Sequence, residues 1–443
     1  MSEADRYCEA CGTKISADAM FCMGCGRPAT REAEPPVSVG NPTTALRPEP
    51  TQSTRTASLS SRVIPETVTE PSVSTVRKNN RYIRMALGVF GVLSLCTLGL
   101  AAVAFMAGYT GMGLLVGLVL AVLPVPVYMA FTLWIDRFEK EPTWLLAGAF
   151  LWGGTFAIFF SGLITTIGAV IVTIILGEGA GDFFGSVISA PIIEESTKAL
   201  ALFILFFWKK DEFDNVIDGI VYAIMIGLGF TLVEDLIYYA REFASGGIGA
   251  SVFTFVIRGI LSPWGHPIYT SMVGIGLGIA IESSRRFVKF AAPVVGLAAA
   301  IILHAIWNSL GYVMTGFSGL LFGSFVYYPL LVVAILLVVF FALRREGKIV
   351  RENLVPELSS GLLTREEYDA LGSVRGRFGA AFGAFKNGGL GRWRSYSRFA
   401  QAATELAFHR ERVKRGITSV DSSSREDAYV RALRDLQGMS QVA

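Results

Sequence analysis

The dominant pattern of this chain is a series of long apolar runs, separated by short charged loops, between residues 83 and 343. A helix needs about 20 mostly apolar residues to cross a bilayer. Eight runs reach that length: 83–108, 112–134, 144–176, 183–208, 216–240, 264–282, 287–312 and 319–343. Arg258 and Pro263 interrupt a further apolar segment, 250–262, where we expect a short re-entrant or surface helix. The pattern predicts an all-α polytopic membrane protein with about eight transmembrane helices.

Polar segments flank this region and divide the chain into domains. Residues 1–30 predict a small zinc ribbon, as argued below. Residues 31–80 are rich in Pro, Ser, Thr and Glu without helical period, which predicts a disordered linker. The membrane domain then occupies 81–345, and 346–443 form a helical cytoplasmic tail.

Helices are expected in the tail at about 362–371, 393–415 and 425–437. The intervening stretch, 372–394, is rich in Gly, Arg and Phe. One interpretation is a small helical domain beneath the membrane. The alternative is that this basic stretch lies on anionic lipid.

Composition and charge agree with a membrane protein and set its expected orientation. Hydrophobic residues make up 52% and charged residues 17% of the 443, and a net charge of +3 is too small to indicate nucleic acid. Lys and Arg cluster in alternate loops, which predicts that both termini are cytoplasmic. The clusters are Arg137 and Lys140, Lys209 and Lys210, Arg285, Arg286 and Lys289, and Arg344, Arg345 and Lys348.

Four cysteines near the N-terminus have the spacing of a metal-binding knuckle pair. Cys8, Cys11, Cys22 and Cys25 form the pattern C-x2-C-x10-C-x2-C, which suits tetrahedral Zn(Cys)4. Four thiolates leave no open position, so the zinc is expected to be structural. Two disulfides are the alternative, which a reducing cytoplasm disfavours.

The run that ends at Trp208 carries three charges where hydrocarbon is expected. Glu194, Glu195 and Lys198 are costly there and by default indicate a functional site. The depth of the glutamates depends on whether the helix starts at Phe183 or is opened by Pro191, with Ser189 as its cap. Helical rise and the expected topology place further polar residues in the same outer half of the bilayer: Glu234, His266, His304 and Asn308.

Each of these residues also has a structural explanation. Glu194 and Lys198 can form a buried ion pair, and Glu234 can face an aqueous vestibule. His266 can lie at the membrane interface, and His304 and Asn308 can hydrogen-bond between helices. Together, however, they form the inventory of a hydrolase. Carboxylates can serve as general base, and imidazoles with a carboxylate can hold a metal.

Four short motifs carry a resemblance to a known family. EESTK at 194–198, FTLVE at 230–234, HPIYT at 266–270 and HAIWN at 304–308 resemble the motifs of the PrsW family of bacterial intramembrane proteases. That family is part of the superfamily of CAAX-type prenyl endopeptidases, in which the second motif ends in His where this chain has Glu234. DRFEKEP at 136–142 and EFDNVIDGIVY at 212–222 are similar as well, and the resemblance covers about residues 110–345.

The resemblance implies cleavage of a membrane-anchored protein near the outer face of a bacterial plasma membrane, typically of an anti-sigma factor. In this hypothesis Glu194 or Glu195 activates water, and Lys198 pairs with a glutamate to limit the cost of burying it. Glu234, His266 and His304 hold zinc or another divalent metal, or orient that water. Asn308 stabilises the developing oxyanion or positions the substrate backbone.

Two other classes of function stay open. An ion- or proton-coupled transporter also uses carboxylates and histidines within the membrane, although no internal repeat supports that interpretation here. The other class is a non-catalytic membrane sensor or scaffold, with the ribbon and the tail as binding modules. A proteolysis assay with and without a chelator separates these alternatives.

Overall fold

A computed structural model describes residues 6–7, 14–15, 111–210, 212–262, 264–314, 317–416 and 422–442. The chain divides into two units, Met1–Thr69 and Glu70–Ala443. In the first unit, strands β1 (Arg6–Tyr7) and β2 (Lys14–Ile15) pair antiparallel. The cysteine cluster, the predicted linker and the first predicted span, 83–108, lie outside the described residues.

Every secondary-structure element described in the second unit is a helix. Its helices are α1 (Gly111–Val122), α2 (Val125–Ile135), α3 (Thr143–Trp152), α4 (Ile158–Leu176), α5 (Glu178–Phe183), α6 (Ala190–Trp208), α7 (Val216–Phe255), α8 (Gly265–Glu282), α9 (Arg286–Val313), α10 (Phe317–Phe322), α11 (Tyr328–Asn353), α12 (Val355–Ser359), α13 (Arg365–Leu371), α14 (Val374–Lys414) and α15 (Ser422–Val442). Four wider π-helical turns join or extend these helices, at Gly153–Ala157, Phe184–Ser189, Val256–Leu261 and Gly323–Tyr327.

Five helical stretches in the described part are long and apolar enough to cross a membrane: Gly111–Ile135, Thr143–Leu176, Val216–Glu282, Arg286–Leu310 and Gly323–Asn353. Four of them coincide with single predicted spans, and Val216–Glu282 contains both 216–240 and 264–282. The predicted span 183–208, which holds three charged residues, is not among the five. The all-α, polytopic prediction is thus confirmed, whereas the predicted number of eight spans is not established.

The start of the helix that carries the glutamates follows the first of the two sequence alternatives. Helix α5 runs directly through the π-helical turn Phe184–Ser189 into α6, so helical backbone already precedes Pro191. Ser189 makes no capping hydrogen bond. Its hydroxyl donates instead to the hydroxyl of Thr165, at 3.4 Å. The alternative in which Ser189 caps a helix opened by Pro191 is therefore wrong.

Helix α7 forms the centre of the bundle. In the most apolar continuous 18-residue segment of Val216–Glu282, 78% of the residues are buried. The corresponding segments of the other four stretches are 6% to 22% buried. The helix begins with a capping box, in which the Asn215 side chain accepts from the Asp218 backbone N–H and Asp218 accepts from that of Asn215. Gly246 and Gly247 interrupt it, and the following segment returns toward the bundle. Gly247 has a φ of +69°, which favours glycine.

Glycines let α8 approach α7 to backbone contact. A Cβ on Gly274 would lie 2.1 Å from the carbonyl oxygen of Gly219, and a Cβ on Gly278 would lie 2.5 Å from Val216 Cα. Both distances are well below any real contact, so only glycine fits at either position. Small residues four positions apart, such as Gly274 and Gly278, permit close approach of two helices.

The tail packs against the loops at one end of the bundle. Arg412 of α14 forms ion pairs with Glu139, in the loop after α2, and with Asp214, in the loop after α6. Burial alone would lower the pKa of Arg412, but these two carboxylates outweigh it and raise that pKa. The tail and the loops after α2 and α6 therefore lie together, and the charge pattern had assigned all three to one side of the membrane.

Candidate active site

Lys198 lies at the centre of a buried charged cluster on α6. Because Glu195 and Glu194 precede it by three and four residues, both carboxylates lie on its side of the helix. Its fully buried ammonium contacts Glu195 Oε1 at 2.9 Å and Glu194 Oε2 at 3.3 Å. It also lies 2.9 Å from His266 Nδ1 and 3.6 Å from the centre of the Phe230 ring. Such an enclosed cation depends on its carboxylates, since an unpaired buried charge is strongly destabilising.

His266, near the start of α8, connects this lysine to a second acidic group. An ammonium can only donate, so Nδ1 accepts from Lys198 and the ring proton is assigned to Nε2. Nε2 then donates to Glu234 Oε2 at 2.8 Å. Glu234 also accepts from Arg258 Nη2 at 2.5 Å, and Arg258 Nε donates to Asp235 at 2.6 Å. A neutral imidazole therefore bridges the lysine and a carboxylate that is itself paired with an arginine.

Glu195 accepts hydrogen bonds on both carboxylate oxygens. Besides the lysine, His304 Nδ1 lies 3.1 Å from Oε1, and Thr270 Oγ1 donates to Oε2 at 3.0 Å. Since an ionised carboxylate only accepts, this contact places the His304 proton on Nδ1 and leaves the lone pair on Nε2. The Tyr269 ring stacks on His304, with centroids 5.1 Å apart and planes 16° from parallel. Glu195 is thereby held fixed between three helices.

Asn308 lies one helical turn beyond His304 but takes part in a different contact. Its Nδ2 donates to the backbone carbonyl of Ser186 at 2.8 Å. Ser186 belongs to the π-helical turn that precedes α6, and its hydroxyl is 2.8 Å from that of Tyr312. Asn308 thus ties α9 to the turn that leads into the glutamates.

Six of the seven candidate catalytic residues form one connected network of polar contacts. They come from helices α6, α7, α8 and α9 and are Glu194, Glu195, Lys198, Glu234, His266 and His304. Only Asn308 has its described hydrogen bond elsewhere. The structure brings these groups together, and their catalytic roles stay predictions.

Four side chains meet the requirements of a metal site in chemical kind and in spacing. One ligand atom from each lies within 4.8 Å of the others, in the set Glu194, Glu195, His266 and His304. The sequence had proposed Glu234 in place of the two glutamates, but Glu234 binds the far nitrogen of His266. The Lys198 ammonium already lies 2.9 to 3.3 Å from donor atoms of three of these four residues. A divalent metal does not fit in this arrangement, because the Lys198 ammonium already contacts the ligands and has the same sign of charge as the metal.

Sequence reasoning missed several residues that hold the cluster in place. Arg258 had been read only as an interruption of an apolar segment, although a charge in such a segment is itself a signal of function. Thr270 and Tyr269 lie within the third motif, yet no role had been given to either. Asp235, which follows Glu234 and pairs with Arg258, had been given no role. Their partners depend on how the helices pack, which no local pattern shows.

The fold and this cluster define a class: integral-membrane proteins with an ionisable site enclosed by several helices of the bundle. Comparison with known families is more specific. Residues 141–340 match the family model described as PrsW family intramembrane metalloprotease, and residues 7–29 match a zinc-ribbon domain. All six clustered residues lie within the first match, and the four cysteines lie within the second.

Curated relatives support the same assignment. Protease PrsW of Bacillus subtilis (strain 168) is 26% identical over 199 residues, which cover 44% of this chain and 78% of that protein. Protease PrsW of Clostridioides difficile (strain 630) is 25% identical over 194 residues, 43% of this chain and 76% of that protein. No solved structure matches. Residues 141–340 therefore match the PrsW family of intramembrane metalloproteases, and residues 7–29 match a zinc-ribbon domain, in a chain with several helices long and apolar enough to cross a membrane.

Proposed function

We propose that this protein is an endopeptidase that cleaves a membrane-anchored protein by glutamate-activated water. The observation that carries the proposal is the network in which Glu195, Lys198 and His304 meet within hydrogen-bond distance inside the bundle. The substrate class implied by the family resemblance is a one-span protein such as an anti-sigma factor, cut near the outer face. A transporter or a passive scaffold is less well supported, because the clustered residues lie within the protease family match.

Glu194 is the better candidate for the general base. Glu195 is fully buried and holds three hydrogen bonds, whereas the Glu194 side chain is 14% exposed and its described partner is Lys198. A base must reach the water that it deprotonates. Glu194 takes a proton as the water oxygen bonds to the scissile carbonyl carbon, and it returns that proton to the amide nitrogen as the C–N bond breaks. Glu195 positions Lys198 and His304.

Two groups are suited to stabilise the negative charge that develops on the carbonyl oxygen. All three N–H groups of the Lys198 ammonium already have partners, so this fixed cation acts through its charge and not through a further hydrogen bond. Asn308 uses one amide hydrogen on the Ser186 carbonyl, and its second amide hydrogen stays available for the substrate. Both groups act within the low-dielectric interior, where such interactions are strongest.

A metal-dependent reaction is the second candidate, favoured by the family description and by the donor set. Zinc or another divalent ion would be held by Glu194, Glu195, His266 and His304, and it would act as a Lewis acid toward the bound water or carbonyl. Glu234 would then orient His266 through its second nitrogen, as carboxylates do beside metal-bound histidines. This candidate requires that Lys198 leave the site.

The test is cleavage of a co-expressed, tagged one-span substrate by full-length variants at matched protein level. Glu194→Gln, Glu195→Gln and His304→Ala are expected to lose at least about a hundredfold in rate. Glu178→Gln, an exposed glutamate on α5, is the matched control and should cleave normally. Normal cleavage by all three site variants would contradict the scheme.

A chelator distinguishes the two mechanisms with purified protein. Activity that survives chelation supports Lys198 as the cation of the site. Activity that is lost and then restored by a divalent metal supports the second candidate. The ribbon zinc is the control for this experiment. Its loss should not by itself remove a metal from the active site.

We further propose the domain limits 1–30, 31–80, 81–345 and 346–443, with both termini cytoplasmic. The family match to residues 7–29 supports a structural zinc on Cys8, Cys11, Cys22 and Cys25. The contacts of Arg412 with two loops support a tail on the same side as those loops. Metal analysis of the isolated protein should give one zinc per chain that a Cys8→Ser variant lacks.

A further inference from the structure

The first half of α14, residues 374–387, exposes three aromatic rings on one face. Phe378, Phe382 and Phe385 are 60%, 58% and 48% exposed, and their i, i+4, i+7 spacing aligns them along the helix. The first two rings stack, with centroids 6.4 Å apart. In the second half of the same helix Phe399 is buried at 1%. An aromatic row left open to water is costly, so something is expected to cover it.

The charge around this face is entirely positive. Between Asp369 and Glu405 the sequence has six basic residues and no acidic one. Arg375 and Lys386 are exposed and lie about 60° to 80° around the helix from Phe378, at 100° per residue. A helix with aromatic residues on one face and cations beside them is typical of segments that lie in a membrane interface.

Contacts at the start of α14 fix its position at the edge of the membrane domain. The Arg377 guanidinium lies over the Phe138 ring, 4.9 Å from its centre. Phe138 is three residues beyond the end of the candidate span Gly111–Ile135. The backbone of Gly372 meets that of Gly347, where a Cβ would lie 2.7 Å from the Gly372 oxygen. Gly347 belongs to the last turns of Gly323–Asn353. The helix therefore begins where two candidate spans end.

We propose that this aromatic face of α14, formed by Phe378, Phe382 and Phe385, lies on the anionic lipid surface at that end of the bundle. The rings enter the headgroup region, and Arg375 and Lys386 pair with lipid phosphates. A second copy of the chain is a poorer occupant, because two such faces would bring like charges together. An acidic protein partner would satisfy the charge but would not explain why the face starts at the membrane boundary.

Hydrogen exchange of the full-length protein in nanodiscs tests the proposal. Discs are made from phosphatidylcholine alone and from phosphatidylcholine mixed with phosphatidylglycerol. Amides of residues 376–387 are expected to exchange roughly tenfold more slowly in the anionic discs. The segment 399–408, whose residues are largely buried, is the internal control and should not respond to the lipid.

Two sets of variants separate the aromatic and the charged contributions. Replacing Phe378, Phe382 and Phe385 by Ser should abolish the protection in both lipids, with 399–408 unchanged as evidence of an intact fold. Replacing Arg375 and Lys386 by Gln should remove only the difference between the two lipids.

Three results would overturn the proposal. The first is exchange of 376–387 that is equally fast in detergent and in both kinds of disc. The second is protection that does not depend on anionic lipid or on the two basic residues. The third is protection found only in discs that hold two protein chains, which would assign the face to a contact between copies.

Discussion

The charge balance inside the bundle can be tested by removing Lys198 alone. The Lys198→Met variant keeps a side chain of similar length, so packing against Phe230 is largely preserved. It leaves Glu194 and Glu195 without the ammonium that lies 3.3 and 2.9 Å from them. Glu195 is fully buried and has no access to water as a substitute. The variant therefore measures how much the Lys198 charge contributes to the free energy of unfolding.

The expected cost follows from the geometry. Breaking a buried ion pair by removing one partner costs about 3 to 5 kcal/mol, mostly because the other charge is left unpaired. Glu194 is partly exposed and can be hydrated, so Glu195 should carry most of that cost. Adding Glu195→Gln to Lys198→Met should then recover about half of the loss, although Glu195→Gln alone is destabilising. A double-mutant cycle measures this coupling directly.

The measurement is the free energy of unfolding of the four proteins of the cycle, in one detergent and at neutral pH. Lys210→Met, which removes an exposed lysine beyond α6, is the matched control and should be within about 0.5 kcal/mol of the original protein. If Lys198→Met is as stable as this control, the lysine is not the cation that balances the glutamates. In that case another cation has to occupy the cluster, which would favour the metal-dependent candidate.

Three further predictions concern the surroundings of the site. Gly274→Ala should push α8 about 1 Å away from Gly219 and reduce both stability and cleavage. Gly148→Ala, at a position with open space around it, is the control and should reduce neither. Equal melting temperatures of the two variants would contradict this prediction. Arg258→Gln removes the cation that pairs with Glu234 and Asp235, and it should lower the cleavage rate roughly tenfold to a hundredfold. An unchanged rate would exclude a positioning role. Burial raises the pKa of Asp136 to about 7 despite its hydrogen bonds from a backbone N–H. Asp136 therefore loses its proton at lower pH in the unfolded state, and its contribution to stability should fall as pH rises from about 4 to 7. Asp136→Asn should make that slope smaller in a pH series of unfolding measurements.

Residue spacing, together with an expected topology, was enough to anticipate that the core residues of the candidate site lie together. Glu194 and Lys198 are four residues apart, and helical geometry requires that they share a face. Convergence of His266 and His304 on the same point followed from span lengths and an assumed topology. The partner of Glu234 did not follow, because Arg258 reaches it only after the chain has turned at Gly246 and Gly247.

Helix positions were predicted better than their irregularities. Apolar runs of about 20 residues identify spans well, since a bilayer imposes that length. The π-helical turns carry no comparable signal, because one additional residue in a turn leaves the local composition unchanged. In the tail, no helix was predicted over 372–394, a stretch rich in Gly, Arg and Phe. The structure has helix there, since α14 begins at Val374 and is broken only at Gly388 and Gly389.

The π-helical turn Phe184–Ser189 limits which sequence changes this protein can accept during evolution. Such a turn holds one residue more than an α-helical turn. Deleting that residue would leave a continuous helix, but it would rotate Glu194 and Glu195 by about 100° relative to α5. The length of this short segment therefore sets the direction in which the acids point. Insertions and deletions should be rarer there than amino-acid replacements, even where no side chain of the segment touches a substrate.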